Sequence, residues 1–196
     1  MGLDAPQMEE TAVSVLNIPN LLSISRILAV PIFIILMLEP DPARSLAAAI
    51  VFLFASATDW LDGYLARKWG QVTKMGKLLD PIADKILVAS ALIILVNINK
   101  EDAWLAVAAI VIIGREFAVT GLRAIASSEG IVIPAENTGK YKTGTQIVAI
   151  LSFVLDYHME TSWLTTLGWI TLLIAVMLSV YSAVQYFMRF WKKLKR

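Results

Sequence analysis

Six long apolar runs decide what this chain can fold into: Leu21–Leu38, Ser45–Thr58, Leu78–Ile98, Trp104–Ile125, Thr143–Leu155 and Trp163–Phe190. A bilayer span takes about 20 mostly apolar residues. The second and fifth runs are shorter, and polar neighbours on one side extend each of them. Backbone amides inside lipid have no water to bond to, so a helix is the state that satisfies runs of this length. The expected fold class is therefore an all-α integral membrane protein with six transmembrane helices. Of the 196 residues, 58% are hydrophobic, against roughly 45–50% in an average soluble domain.

Lysine and arginine give the orientation. One set of connections holds Arg67, Lys68, Lys74 and Lys77, then Arg123, Lys140 and Lys142, and the tail adds Lys192, Lys193, Lys195 and Arg196. The opposite connections hold only Arg44 and Lys100. An even number of spans puts both termini on the basic side, which is the cytoplasm. Residues 1–16 are acidic, with Asp4, Glu9 and Glu10, and are read as an N-terminal extension ahead of a membrane domain covering 17–196. The formal net charge of +1 gives no footprint for nucleic acid. Cysteine is absent, which excludes disulfides and thiolate-bound metal. His158, the one histidine, is expected in an outer loop with Asp156 and Glu160, as a solvated side chain.

Against this oily background four aspartates, Asp59, Asp62, Asp80 and Asp84, fall within 26 residues on the basic side. Charge at membrane depth is costly and marks a functional site by default. At about 100° per residue, Asp59, Asp62, Gly63 and Ala66 share one helix face, with Arg67 at its edge. Gly76, Asp80 and Asp84, four apart, share a face of the next helix. Four converging carboxylates repel one another unless cations balance them. Their oxygens suit hard divalent ions. Two such ions about 3.5–4 Å apart clamp both oxygens of a phosphoryl displacement. Gly63 and Ala66 clear space for a large ligand, and Arg67 suits a phosphate.

The full pattern, Asp-x2-Asp-Gly-x2-Ala-Arg-x8-Gly-x3-Asp-x3-Asp, resembles the signature of the CDP-alcohol phosphatidyltransferase family at every fixed position. Three further segments resemble its phosphatidylglycerophosphate synthase branch. They are Asn17 to Arg26, Gly114-Arg115-Glu116-Phe117 with Arg123, and Gly139 to Thr143 with Gln146. The resemblance covers roughly residues 17–190. It implies a membrane-bound homodimer with its active site facing the cytoplasm, in a bacterial cell membrane. The implied reaction passes the phosphatidyl group of CDP-diacylglycerol to an alcohol, here glycerol 3-phosphate, with CMP leaving. It further implies that Asp59, Asp62, Asp80 and Asp84 hold two Mg2+ or Mn2+ ions and that Asp84 is the general base. Gly63, Ala66, Arg67, Thr73 and Gly76 are implied contacts of the cytidine diphosphate.

The acceptor has its own set of residues. Arg115 and Arg123 are about 12 Å apart along a helix, and a rotation of about 800° brings them within about 80° of each other. Lys140 and Lys142 open the following helix. These four cations suit the dianionic phosphate of glycerol 3-phosphate, whereas serine would not need them. Other readings stay open. They are the same chemistry on inositol phosphate or serine, a divalent-cation transporter with the acids as its filter, and a magnesium-dependent prenyltransferase. The transporter reading leaves Arg67 unexplained, since a cation path gains nothing from an adjacent arginine.

Overall fold

The computed structural model describes the backbone at residues 18–69, 74–129, 138–159 and 161–194, and within these the side chains of 20–58, 82–129, 141–159 and 161–193. It is all-helical: α1 (Ile18–Leu38), α2 (Pro42–Trp69), α3 (Lys74–Ile98), α4 (Ala103–Ser128), α5 (Thr138–Met159) and α6 (Ser162–Leu194). Every expected apolar run lies on its own helix. The helices outrun the apolar stretches at the basic end, so α2 continues eleven residues past Thr58 through the acidic motif to Trp69.

Local chemistry sets the helix starts. Asp41 Oδ1 accepts from the backbone amides of Ala43 and Arg44 at 2.9 and 2.8 Å, with Pro42 at the first helical position. Asp102 does the same for α4, accepting from Trp104 and Leu105 at 3.0 and 3.2 Å. A carboxylate there fills orphan amide donors, and proline fits where no donor is needed.

α1 packs against α2 and α3, α2 against α5, α5 against α6, and α4 bridges α6 and α3. The buried core runs through Phe33 and Met37 of α1, Phe52 of α2, Leu87 and Leu95 of α3, Ile112 of α4, Val154 of α5 and Leu172 of α6. Phe33 and Phe52 meet with ring centroids 5.5 Å apart. The outside is just as apolar: Phe54 is 73% exposed and Ile110 70%. Water would not tolerate such a girdle on a monomer of this size. Among the described residues, α1, α4 and α6 each contain a stretch long and apolar enough to cross a membrane, and the segment Pro42–Thr58 of α2 is a shorter apolar helix. The chain is a membrane protein.

At the end away from the basic residues, α5 runs to Met159, so His158 belongs to its last turn and not to an outer loop. Its Nδ1 lies 2.7 Å from the Pro42 carbonyl, joining the end of α5 to the start of α2. Tyr157 donates to Asn99 Oδ1 at 3.1 Å, which ties the same end of α5 to α3. Arg26, within the apolar run of α1, is wholly buried.

α5 and α6 approach closely at Gly168, where an added Cβ would lie 3.1 Å from the ring of Phe153. That ring also meets Trp169 edge-on at 5.5 Å. A leucine at 168 is expected to force the helices apart, costing about 1–3 kcal/mol. A lower unfolding midpoint of the detergent-extracted Gly168→Leu protein would show it, with no change in metal dependence.

Candidate active site

Two helix ends carry the acidic motif. Asp59, Asp62, Gly63, Ala66 and Arg67 are on the last turns of α2, and Gly76, Asp80 and Asp84 on the first turns of α3. Only residues 70–73 separate the two helices, and the helices pack on each other. The side chains of Asp59, Asp62, Gly63, Ala66, Arg67, Gly76 and Asp80 lie outside the described residues, as does the whole of Thr73. Asp84 is the member of the acid set whose side chain is described, so among the described residues no group of three or more potential metal ligands forms. As a donor set, four carboxylates suit magnesium or manganese, both of which take oxygen ligands.

Asp84 opens onto a polar cavity of about 240 Å³ between α3, α4, α5 and α6. The cavity wall carries four basic side chains, Lys85, Arg115, Arg123 and Lys142, against two acidic ones, Asp84 and Glu116. It thus brings together three of the four cations expected for an acceptor phosphate. The fourth, Lys140, lies on α5 with its side chain outside the described residues. A recess of about 20 Å³, room for about one water, adjoins Asp84, Glu116 and Lys142 one turn nearer the start of α4.

The side chains of this wall are held by one another. A guanidinium within an apolar helix must find acceptors. Arg115 finds them on α6, donating from Nε to the Ser179 carbonyl at 2.9 Å and from Nη2 to Ser182 Oγ at 2.8 Å. Its Nη1 donates to Glu116 Oε1 at 2.7 Å. Lys142, buried at the start of α5, donates to the same oxygen. Lys142 shares the cavity wall with Asp84. One turn on, the Thr120 hydroxyl donates to the Glu116 carbonyl at 2.7 Å and accepts from Lys85 Nζ. Arg123 stands apart from this lattice, its guanidinium carbon 5.2 Å above the ring of Tyr186. Arg115 is thus chiefly a clamp between α4 and α6, while Arg123 and Lys142 present charge to the cavity.

Sequence reasoning passed over Lys85, Thr120, Ser182 and Tyr186. Lys85 carried a usable signal, being next to Asp84. Ser182 and Tyr186 lie more than 60 residues from Arg115 in the chain and carried none.

The residues match known proteins closely. The family model described as CDP-alcohol phosphatidyltransferase matches residues 16–181. The chain is 44% identical over 193 residues to a CDP-diacylglycerol–glycerol-3-phosphate 3-phosphatidyltransferase of Bacillus subtilis (strain 168), covering 91% of this chain and 97% of that protein. It is 43% identical to the protein of the same name from Pseudomonas fluorescens, covering 92% of this chain and 93% of the relative. For the Haemophilus influenzae protein of that name the identity is 36%, over 87% and 91% of the two chains. With an acidic motif split over two consecutive helices, a base-lined cavity beside its last aspartate and this breadth of similarity, the chain belongs to the CDP-alcohol phosphatidyltransferase family.

Proposed function

We propose that the protein transfers the phosphatidyl group of CDP-diacylglycerol to glycerol 3-phosphate, giving phosphatidylglycerophosphate and CMP. The observation that carries this reading is the cavity itself. Four basic side chains surround a space suited to a three-carbon alcohol phosphate, and Asp84 lies in its wall. Serine would leave those charges unanswered. The relatives bearing the name of this reaction support the same acceptor.

Arg123, Lys142 and Lys140 receive the acceptor phosphate, and Arg115 sets Glu116 and thereby Lys142. Asp84 takes the proton of the attacking hydroxyl, as a positioned carboxylate can. Gly63, Ala66, Arg67, Thr73 and Gly76 contact the cytidine diphosphate. Asp59, Asp62 and Asp80, with Asp84, are the residues to hold two divalent ions, Mg2+ or Mn2+. Bound there, such ions neutralise charge on the diphosphate and on departing CMP. The acceptor hydroxyl displaces CMP directly at the phosphorus bearing the lipid.

The membrane reading extends the three long apolar helices to all six, with residues 17–196 as one domain and both termini in the cytoplasm. Two features support it. The basic residues gather at the end of the bundle that carries the acidic motif, and the outer surface is apolar around α1 to α6. On this reading the active site lies at the cytoplasmic face of a bacterial cell membrane, next to its lipid substrate. Family resemblance supports a homodimer.

The test is a product assay. Purified protein given CDP-diacylglycerol, labelled glycerol 3-phosphate and magnesium is expected to release CMP and label the lipid. Excess chelator is expected to lower the rate by roughly 10³-fold, the scale of several kcal/mol of charge stabilisation. Re-added magnesium or manganese restores it. Faster CMP release with inositol phosphate or serine would reassign the acceptor. Metal flux into sealed vesicles without any CMP would favour a transporter.

A further inference from the structure

We propose that Glu116 is a specificity-determining residue of the acceptor cavity, its second carboxylate oxygen accepting a hydrogen bond from the acceptor hydroxyl that does not react. The inference rests on the reading of this cavity as the acceptor site.

A carboxylate within an anion site needs a reason, because it repels the phosphate that the surrounding bases attract. Holding Lys142 is one reason, but it uses only half of the group. The donors from Arg115 and Lys142 both converge on Oε1. Among the described residues no hydrogen bond reaches Oε2. The Glu116 side chain is only 19% exposed, and an ionised carboxylate offers about four lone-pair sites. A partly buried, charged acceptor in the cavity wall is thus fixed in place with half its capacity unused.

Position says what fills it. Glu116 and Arg123 are seven residues apart on α4, about 10 Å along the helix. An acceptor with its phosphate at Arg123 and its reacting hydroxyl at Asp84 carries its middle carbon past the wall between them. Lys85, Arg115, Arg123 and Lys142 only donate. The Thr120 hydroxyl gives its proton to the Glu116 carbonyl and its oxygen to Lys85. Ser182 Oγ already accepts from Arg115. With Asp84 assigned to the reacting hydroxyl, Glu116 is the charged acceptor left for a second one. A vicinal diol phosphate satisfies this wall, and a chain with one hydroxyl does not.

The experiment compares glycerol 3-phosphate with 3-hydroxypropyl phosphate, which lacks the middle hydroxyl, by kcat/KM in the full-length protein. The wild type is expected to prefer glycerol 3-phosphate by about 10–100-fold, the usual worth of a hydrogen bond to a charged group. In Glu116→Met, close in size but without a strong acceptor, the preference is expected to fall to about threefold or less. Glu116→Gln, which keeps a neutral acceptor, is expected to fall between. Because the quantity is a ratio, a partly misfolded population does not shift it. An unchanged ratio in the methionine variant would overturn the inference, as would loss of activity toward both acceptors in both variants, since either leaves Glu116 with no role beyond holding Lys142. A wild type using both phosphates equally overturns the inference alone. One ignoring both fails the acceptor assignment itself, and the role of Glu116 falls with it.

Discussion

Asp84→Asn is expected to lower turnover by about 10²–10⁴-fold, the usual contribution of a positioned general base, while binding of CDP-diacylglycerol changes much less. The asparagine keeps the shape and loses the ability to take a proton. Asp84 is placed for this role by facing the cavity beside Lys142, on the same helix as the earlier aspartate of its motif. A companion measurement separates its two assigned duties. If Asp84 acts chiefly on the proton, CMP release falls while the concentration of magnesium giving half-maximal rate moves little. If it acts chiefly as a ligand, added metal recovers much of the lost rate. Equal loss of nucleotide binding and turnover would remove Asp84 from the reacting centre.

The second large effect is a contrast between two arginines on one helix. Arg123→Ala is expected to raise the KM for glycerol 3-phosphate by about 10–100-fold, the loss of one charge-assisted contact, with the KM for the lipid little changed. Arg115→Ala is expected to act first on stability. It strips the α6 backbone carbonyl of Ser179 and the hydroxyl of Ser182 of their shared donor, and leaves Glu116 with Lys142 alone. Removing one partner from a buried charged set costs about 3–5 kcal/mol. The Arg115→Ala protein should therefore unfold at lower temperature in detergent, whereas Arg123→Ala should melt close to wild type. Identical behaviour of the two variants would mean that clamp and phosphate ligand are not divided as described.

Much of the architecture was legible because one physical constraint dominates it. Unsatisfied backbone is excluded from lipid, so each apolar run had to be a helix, and each of the six is. The continuation of α2 through Asp59 to Arg67 was readable from helical spacing, although hydrophobicity ends at Thr58. Helix spacing also put Arg115 and Arg123 near a common face, and both line one cavity. The partners of Arg115 were not readable. A buried guanidinium announces that acceptors exist, but Ser179 and Ser182 lie in an otherwise apolar helix and are chosen by how α6 packs on α4. Glu116 is next to Arg115 in the chain, and that tie is local. Its second tie, to Lys142, crosses 26 residues and is made by the meeting of α4 and α5. His158 was misplaced for a related reason: the polar end of α5 resembles a loop until its contacts with the start of α2 are seen.

The tie between Arg115 and α6 has a mechanical consequence. Ser179 and Ser182 occupy successive turns of α6, and the guanidinium grips one by its backbone and the other by its side chain. Sliding or rotating α6 by a single residue would release both, and Glu116 and Lys142 would lose their shared anchor. A displacement of the last helix, whether by bilayer thickness or by a pull on the C-terminal tail, would thus detune acceptor recognition long before it unravelled the bundle.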